Sequence, residues 1–193
     1  MESIAVFCGS SLGLNEQVAE QAAELGKFFA IQNITLIYGG AKVGLMGRIA
    51  DGALQNGGRV IGVIPTFLKS KEIFHEDLTE LIVVETMHER KTKMHELSDG
   101  FIALPGGFGT LEELFEIVTW AQLGLHQKPI GVLNIKGFFD HMFQFLDNMV
   151  SEGFLKHENR DMILQSESYQ DLLEQMKSYS PKRVTKWIEK EQT

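Results

Sequence analysis

The sequence predicts a doubly wound α/β fold, a parallel sheet with helices on both faces. Three observations predict it. Short, continuously apolar runs rich in β-branched residues recur along the chain, stretches of helical periodicity separate them, and glycines cluster directly after three of the runs. A strand covered on both faces has no solvent side, so it reads as an unbroken apolar run rather than an alternating one.

The runs fall at residues 4–7, 34–38, 60–64, 81–84, 100–104 and 130–133, and residues 162–164 add a last edge strand. Between the fourth and fifth, MHERKTKMHELSDG (87–100) reads as a helix with Met87, Met94 and Leu97 inward. From Thr110, TLEELFEIVTWAQLGL carries an apolar stripe at Leu111, Leu114, Phe115, Val118, Ala121 and Leu125, with Glu112, Glu116 and Thr119 on the other side. Residues 169–176 and 181–189 read as closing helices, the second with Pro181 at its start. With 193 residues and no low-complexity or Pro/Gly/Ser linker, the chain is expected to form one domain over 1–193.

Composition narrows the function classes. Hydrophobic residues at 44% and charged residues at 23% belong to a folded globular protein. Eighteen basic against twenty-six acidic residues leave a formal charge of -8, which repels a nucleic-acid polymer but leaves room for a small phosphorylated ligand at a local site. No apolar stretch is long enough for a membrane span, and the start, with Glu2, lacks the pattern of a signal peptide. The single cysteine, Cys8, fits a reducing compartment, so the expected location is the cytoplasm. The six histidines form no metal-binding pattern such as HExxH, and no metal is expected.

The three glycine clusters are Gly9 with Ser10 and Ser11, then Gly39, Gly40 and Gly44, then Gly106, Gly107 and Gly109. In an open parallel sheet, ligands bind beyond the carboxyl ends of the strands, where turns without side chains let backbone amides approach phosphate. One such turn is simply a tight turn; three of them line a crevice. The spacing matches neither the GxGxxG dinucleotide fingerprint nor the Walker lysine motif, leaving a mononucleotide as the expected ligand.

Two charged residues stand out. Arg90 projects onto the apolar stripe of its helix, and a buried guanidinium needs either an acidic partner or an anionic ligand. Lys91 beside it favours the ligand. Glu113 follows Thr110 by three residues, which is the spacing of a capping box. It also sits beside a phosphate-binding turn, where a carboxylate could stabilise a developing cation. Both readings of Glu113 stand open at the level of spacing.

MHERK (87–91) and PGGFGTLEE (105–113) closely resemble motifs of the Lonely Guy family of nucleoside 5'-monophosphate phosphoribohydrolases. FCGSS (7–11), YGGAKVGLMGRIAD (38–51) and WAQLGLHQKPIGVLN (120–134) resemble the surrounding family segments, so the likeness spans about residues 4–150. The resemblance implies a Rossmann-like, cofactor-free hydrolase. Such an enzyme cleaves the N-glycosidic bond of N6-modified adenosine 5'-monophosphates, or of AMP, to free base and ribose 5-phosphate. It implies Arg90 and Glu113 as the catalytic pair. It also implies substrate contacts from Glu72, Lys91, Gly106, Gly107, Phe108, Gly109, Thr110, Leu111, Glu112 and Thr119, and a homodimer. Ser10, Gly39 and Gly40 are candidates to assist at the phosphate. Phe108 stands where the family often has tyrosine, and Ala41 where a glycine or serine is common. The alternative is a nucleotide-binding carrier of related fold without turnover.

Overall fold

The computed structural model describes residues 1–69 and 74–181. In chain order the elements are β1 (Ser3–Phe7), α1 (Glu16–Ile31), β2 (Thr35–Tyr38), α2 (Gly44–Leu54), β3 (Val60–Pro65) and α3 (Thr66–Lys69). There follow β4 (Glu80–Val84), α4 (Met87–Glu96), β5 (Gly100–Ala103), α5 (Phe108–Gln122), β6 (Ile130–Leu133) and α6 (Asp140–Ser151). The described chain closes with α7 (His157–Arg160), β7 (Ile163–Ser166) and α8 (Tyr169–Ser178).

The strands form one sheet in the order β4-β3-β2-β1-β5-β6-β7, and every pair is parallel. The chain winds outward from β1 to β4, returns through α4 to β5 on the other side of β1, and winds outward again. The reversal puts a switch point between the carboxyl ends of β1 and β5, the place where such sheets open a crevice.

Alternation along the central strand divides the core in two. Ile4, Val6 and Cys8 face a cluster built from α1, α2 and α8, while Ala5 and Phe7 face one built from α4, α5 and α6. Phe29, Leu36 and Ile49 are fully buried on the first side, and Phe101, Ile117 and Val132 on the second. Burying such side chains contributes roughly 1.5–3 kcal/mol each, offset by chain entropy. On the first side α1 and α2 touch through their backbones. A Cβ on Gly26 would fall on the carbonyl oxygen of Ile49, and one on Gly52 on that of Ala23.

Several expected boundaries move. The helix expected over 87–100 ends at Glu96, because the chain must turn into β5. The edge strand expected at 162–164 runs over Ile163–Ser166, paired in parallel with β6. The helix starting near Thr110 begins at Phe108 instead. Its sheet-facing side chains are Thr110, Leu114, Ile117 and Ala121, so Leu111, Phe115 and Val118 lie on the flank of the contact rather than at its centre. The closing helix expected over 181–189 lies outside the described residues beyond Pro181. Among the described residues no helix is long and apolar enough to cross a membrane.

Candidate active site

The loops at the switch point are tied together by backbone hydrogen bonds. The Gly9 amide donates to the Pro105 carbonyl at 3.0 Å, Leu104 to Phe7 at 2.9 Å, and Leu45 to Gly9 at 3.0 Å. The segments after β1, β2 and β5 are therefore tied directly to one another. Between them opens a cleft of about 370 Å³, whose walls include Ser10, Leu12, Leu14, Leu45, Gly107 and Phe138. Arg90 and Glu113 do not line it; they lie on the side of the sheet covered by α4 and α5.

The glycines of the three loops divide into two kinds. A Cβ on Gly106 would strike Thr110 and the backbone of Gly9, and one on Gly44, where φ is +63°, would strike the backbone of Ser10. These positions need glycine for the fold itself. Gly39 makes room for the guanidinium of Arg90, and at Gly40 φ is +82°. Gly39 and Gly40 thus have structural explanations of their own, apart from the phosphate contact considered for them. At Gly107 and Gly109, by contrast, an added Cβ meets nothing within 4 Å. Nothing among the described residues requires glycine there, at the first turn of α5 where unpaired amides and the helix dipole favour an anion.

Arg90 stands on a capped helical turn and is held at its tip by neighbouring elements. Thr86 caps α4 by accepting a hydrogen bond from the Glu89 amide at 3.1 Å, and the Glu89 carboxylate accepts one from the Glu85 amide at 2.8 Å. This is close to a capping box, and its Thr-x-x-Glu spacing at 86–89 was visible in the sequence. From that fixed turn the Arg90 Nε donates to the Val63 carbonyl at 3.2 Å, and Nη2 lies 3.5 Å from Glu113 Oε1. The side chains are 11% and 12% exposed.

Glu113 does not cap α5. The cap residue is Gly107, which has no side chain to do so, and the first turn contains no acidic residue. Thr110 is already inside the helix and buried beneath Gly106. Glu113 sits about one and a half turns in, so the capping-box reading of the Thr110–Glu113 pair is ruled out. Burial raises the Glu113 carboxyl above the ordinary carboxylate range; Arg90 opposes the shift, and the charge of Glu112 adds to it. The pair remains ionic only at the expense of desolvation, which suggests a task beyond stability.

Lys91 is bound rather than free. Its Nζ donates to Glu112 Oε1 at 2.7 Å and to Glu116 Oε1 at 2.8 Å. Burial alone would lower its pKa, but these two bonds outweigh it and hold the ammonium above its usual value. Thr119 is exposed, one turn beyond Phe115, and its hydroxyl donates to the Phe115 carbonyl at 2.6 Å. Leu111 is half-buried on the flank of α5, and Phe108, the first helical residue, is 94% exposed beside the two open glycines. Glu72 lies outside the described residues. Cys8 is buried, and burial together with the nearby Glu113 charge pushes its thiol far up, which leaves it an inert core group.

Glu116 was not singled out in the sequence as a site residue. The signal was present: it lies four residues after Glu112, on the same side of the helix.

Comparison with known proteins gives three kinds of match. Residues 46–176 fit a family described as "Possible lysine decarboxylase". The chain is 48% identical over 179 residues to a probable cytokinin riboside 5'-monophosphate phosphoribohydrolase of Oryza sativa subsp. japonica, covering 92% of this chain and 73% of that protein. It is 44% identical over 178 residues to a cytokinin riboside 5'-monophosphate phosphoribohydrolase of Arabidopsis thaliana, covering 92% and 83%. Among solved structures, a molybdenum cofactor binding protein from Rippkaea orientalis superposes with a TM-score of 0.69 at 25% identity, covering 91% of this chain and 95% of that one. A molybdenum cofactor carrier protein from Chlamydomonas reinhardtii also gives 0.69, at 20% identity over 92% and 98%, and shares the fold.

Proposed function

We infer that this protein, which belongs to the cytokinin riboside 5'-monophosphate phosphoribohydrolase family, hydrolyses the N-glycosidic bond of adenosine 5'-monophosphates, including N6-modified ones. Water adds to C1' as the C1'–N9 bond breaks. One water proton goes to the departing base, and the products are free base and ribose 5-phosphate. The observation that carries this reading is the buried Arg90–Glu113 pair beside a helix start whose Gly107 and Gly109 the fold does not need.

In this mechanism the 5'-phosphate docks on the amides at the start of α5, assisted by Ser10. Breaking the bond builds positive charge on the ribose. The Glu113 carboxylate faces that charge and orients the attacking water, as carboxylates do in glycoside hydrolysis. Arg90, fixed by Val63 and Thr86, holds Glu113 in place and positions the sugar. Lys91 from α4, with Glu112 and Thr119 from α5, contacts substrate, Leu111 and Phe108 flank it, and Glu72 completes the set.

The decarboxylase label does not fit this chemistry. Pyridoxal-dependent decarboxylation needs a lysine at the reacting centre that loses its proton readily to form a Schiff base, whereas the lysine beside Arg90 and Glu113, Lys91, is held protonated by two carboxylates; Lys128, whose pKa burial lowers, donates instead to the His95 carbonyl.

A carrier function is the second reading, favoured by the likeness to the molybdenum cofactor binding protein. Incubating the purified protein with AMP and with an isopentenylated analogue, and resolving the products, separates the two. Free base with ribose 5-phosphate supports the hydrolase; tight binding without either product supports the carrier. We further place the protein in the cytoplasm as a one-domain homodimer, with the half-buried Leu111, Phe115 and Val118 offering an apolar flank that a second copy can cover. Sedimentation at monomer mass would overturn the dimer.

A further inference from the structure

The groups around the proposed site include two cations, Arg90 and Lys91, and three carboxylates, Glu112, Glu113 and Glu116. With more negative than positive charge, this cluster does not attract a phosphate. Lys91 can serve a substrate only if one of its two carboxylate partners gives way. The partners differ. Glu112 is 54% exposed, so its carboxylate can let go of Lys91 at little cost. Glu116 is 22% exposed, and its second oxygen, Oε2, is buried without a hydrogen-bond partner among the described residues. A buried carboxylate oxygen lacking a donor is costly, and the hydrogen bond that Glu116 does make goes to Lys91.

We propose that Glu116 is a positioning residue for the hydrolytic reaction: it anchors Lys91 from the buried side, so that substrate takes the place of Glu112 at Lys91 and meets an ammonium already in place, while the freed Glu112 carboxylate turns to its own contact with substrate. The geometry follows from the helix. Residues 112 and 116 lie one turn apart on the same side of α5, and Lys91 reaches across from α4 to both. Without the inner anchor, the flexible lysine would be ordered only when substrate binds, and that ordering would be charged against affinity. Glu116 itself touches no substrate. The proposal rests on the reading of Lys91 as a substrate contact.

The test compares Glu116→Gln and Glu116→Asp with the unaltered protein. KM and kcat for AMP are measured, together with melting temperature and calorimetric affinity for AMP in a Glu113→Gln background, where turnover does not interfere. Glu116→Gln is expected to raise KM and Kd about tenfold, the scale of one charge-assisted hydrogen bond, with kcat changed less than about threefold. Glu116→Asp, which keeps the charge but shortens the reach, should recover part of the loss. Unchanged KM and Kd overturn the proposal and leave the hydrolase reading standing. A parallel fall in kcat, affinity and melting temperature would reveal a purely structural residue and also overturn it. If the unaltered protein binds AMP without cleaving it, the hydrolase reading fails, and the effect of Glu116→Gln on Kd still decides the anchoring role. If it neither cleaves nor binds AMP, both fail.

Discussion

The guanidinium of Arg90 occupies the space that a side chain at position 39 would need: a Cβ built on Gly39 runs into Nη2. Gly39 follows β2 and Arg90 belongs to α4, fifty-one residues later. The contact couples the second glycine loop to the arginine motif. The loop's first glycine gives Arg90 a place from which it can reach both Val63 and Glu113.

Replacing Gly39 by alanine should therefore act on catalysis through Arg90. The expected result is a drop of about 10²-fold in kcat/KM, the cost of misplacing a catalytic group by about 1 Å. Because the blocked atom ends a flexible side chain, the fold should adjust, and the far-UV circular dichroism should be unchanged. Full activity in Gly39→Ala would refute the coupling.

The two kinds of glycine in PGGFG make opposite predictions. Gly109→Ala faces open space inside a helix, so it should raise stability by about 0.5–1 kcal/mol, as alanine does over glycine. It should nevertheless weaken AMP binding, because the added methyl group stands where the proposed mechanism docks the 5'-phosphate. Gly106→Ala would collide with Thr110 and Gly9, and should lower the melting temperature. Thermal melts with and without AMP distinguish the cases; a Gly109→Ala protein that binds AMP normally would remove the phosphate from this turn.

Glu113 carries a pH signature. Its carboxyl is raised above the ordinary value mainly by burial, so the folded protein holds this proton more tightly than the unfolded chain does. The sign follows from linkage: ionisation of Glu113 disfavours the fold above the raised pKa, and that penalty disappears as pH falls below the ordinary value of 4.5. Glu113→Gln, permanently neutral, should melt at a higher temperature than the unaltered protein at pH 7, and the difference should shrink on acidification. The same substitution should lower kcat by at least about 10²-fold. The acidic limb of kcat/KM in the unaltered enzyme should lie above 4.5, the pKa from which Glu113 is shifted.

Cys8 should be silent in the native state. Buried and with its thiolate disfavoured by both burial and the Glu113 charge, it is expected to resist alkylation by iodoacetamide at pH 8. It should react fully in denaturant. Slow native labelling would then report the opening of the β1 region, and rapid stoichiometric labelling would contradict the burial.

The five inner strands were legible because each is covered on both faces and so reads as an apolar run, whereas the edge strands β4 and β7 are partly exposed. The start of α5 was not. Glycine at 107 caps without a side-chain signal, and Phe108-Gly109 is a weak helix former that nevertheless makes up the first turn. The Thr-x-x-Glu spacing occurs at both 86–89 and 110–113, but only the first stands at a helix entry, since entry is decided by where β4 and β5 release the chain. The position of Arg90 on an apolar stripe pointed to a partner. The identity of that partner depended on the crossover from β4 to β5, which brings residues 90 and 113 together on the side of the sheet covered by α4 and α5. The double engagement of Lys91 likewise follows from how α4 lies beside α5, and no local pattern encodes it.

The backbone contact between α1 and α2 has a consequence for selectivity. Where two helices meet with no side chains between them at Gly26 and Gly52, there is nothing to repack, so they can neither slide nor part by small steps. Leu45 begins on that clamped pair, so its wall of the cleft keeps a constant shape whatever arrives. Adaptation to different nucleotides must then come from the α4 and α5 side, where long charged side chains, not main chains, form the contact. Selection experiments for altered base preference should accordingly collect substitutions on α4 and α5 and leave the glycines of α1 and α2 untouched.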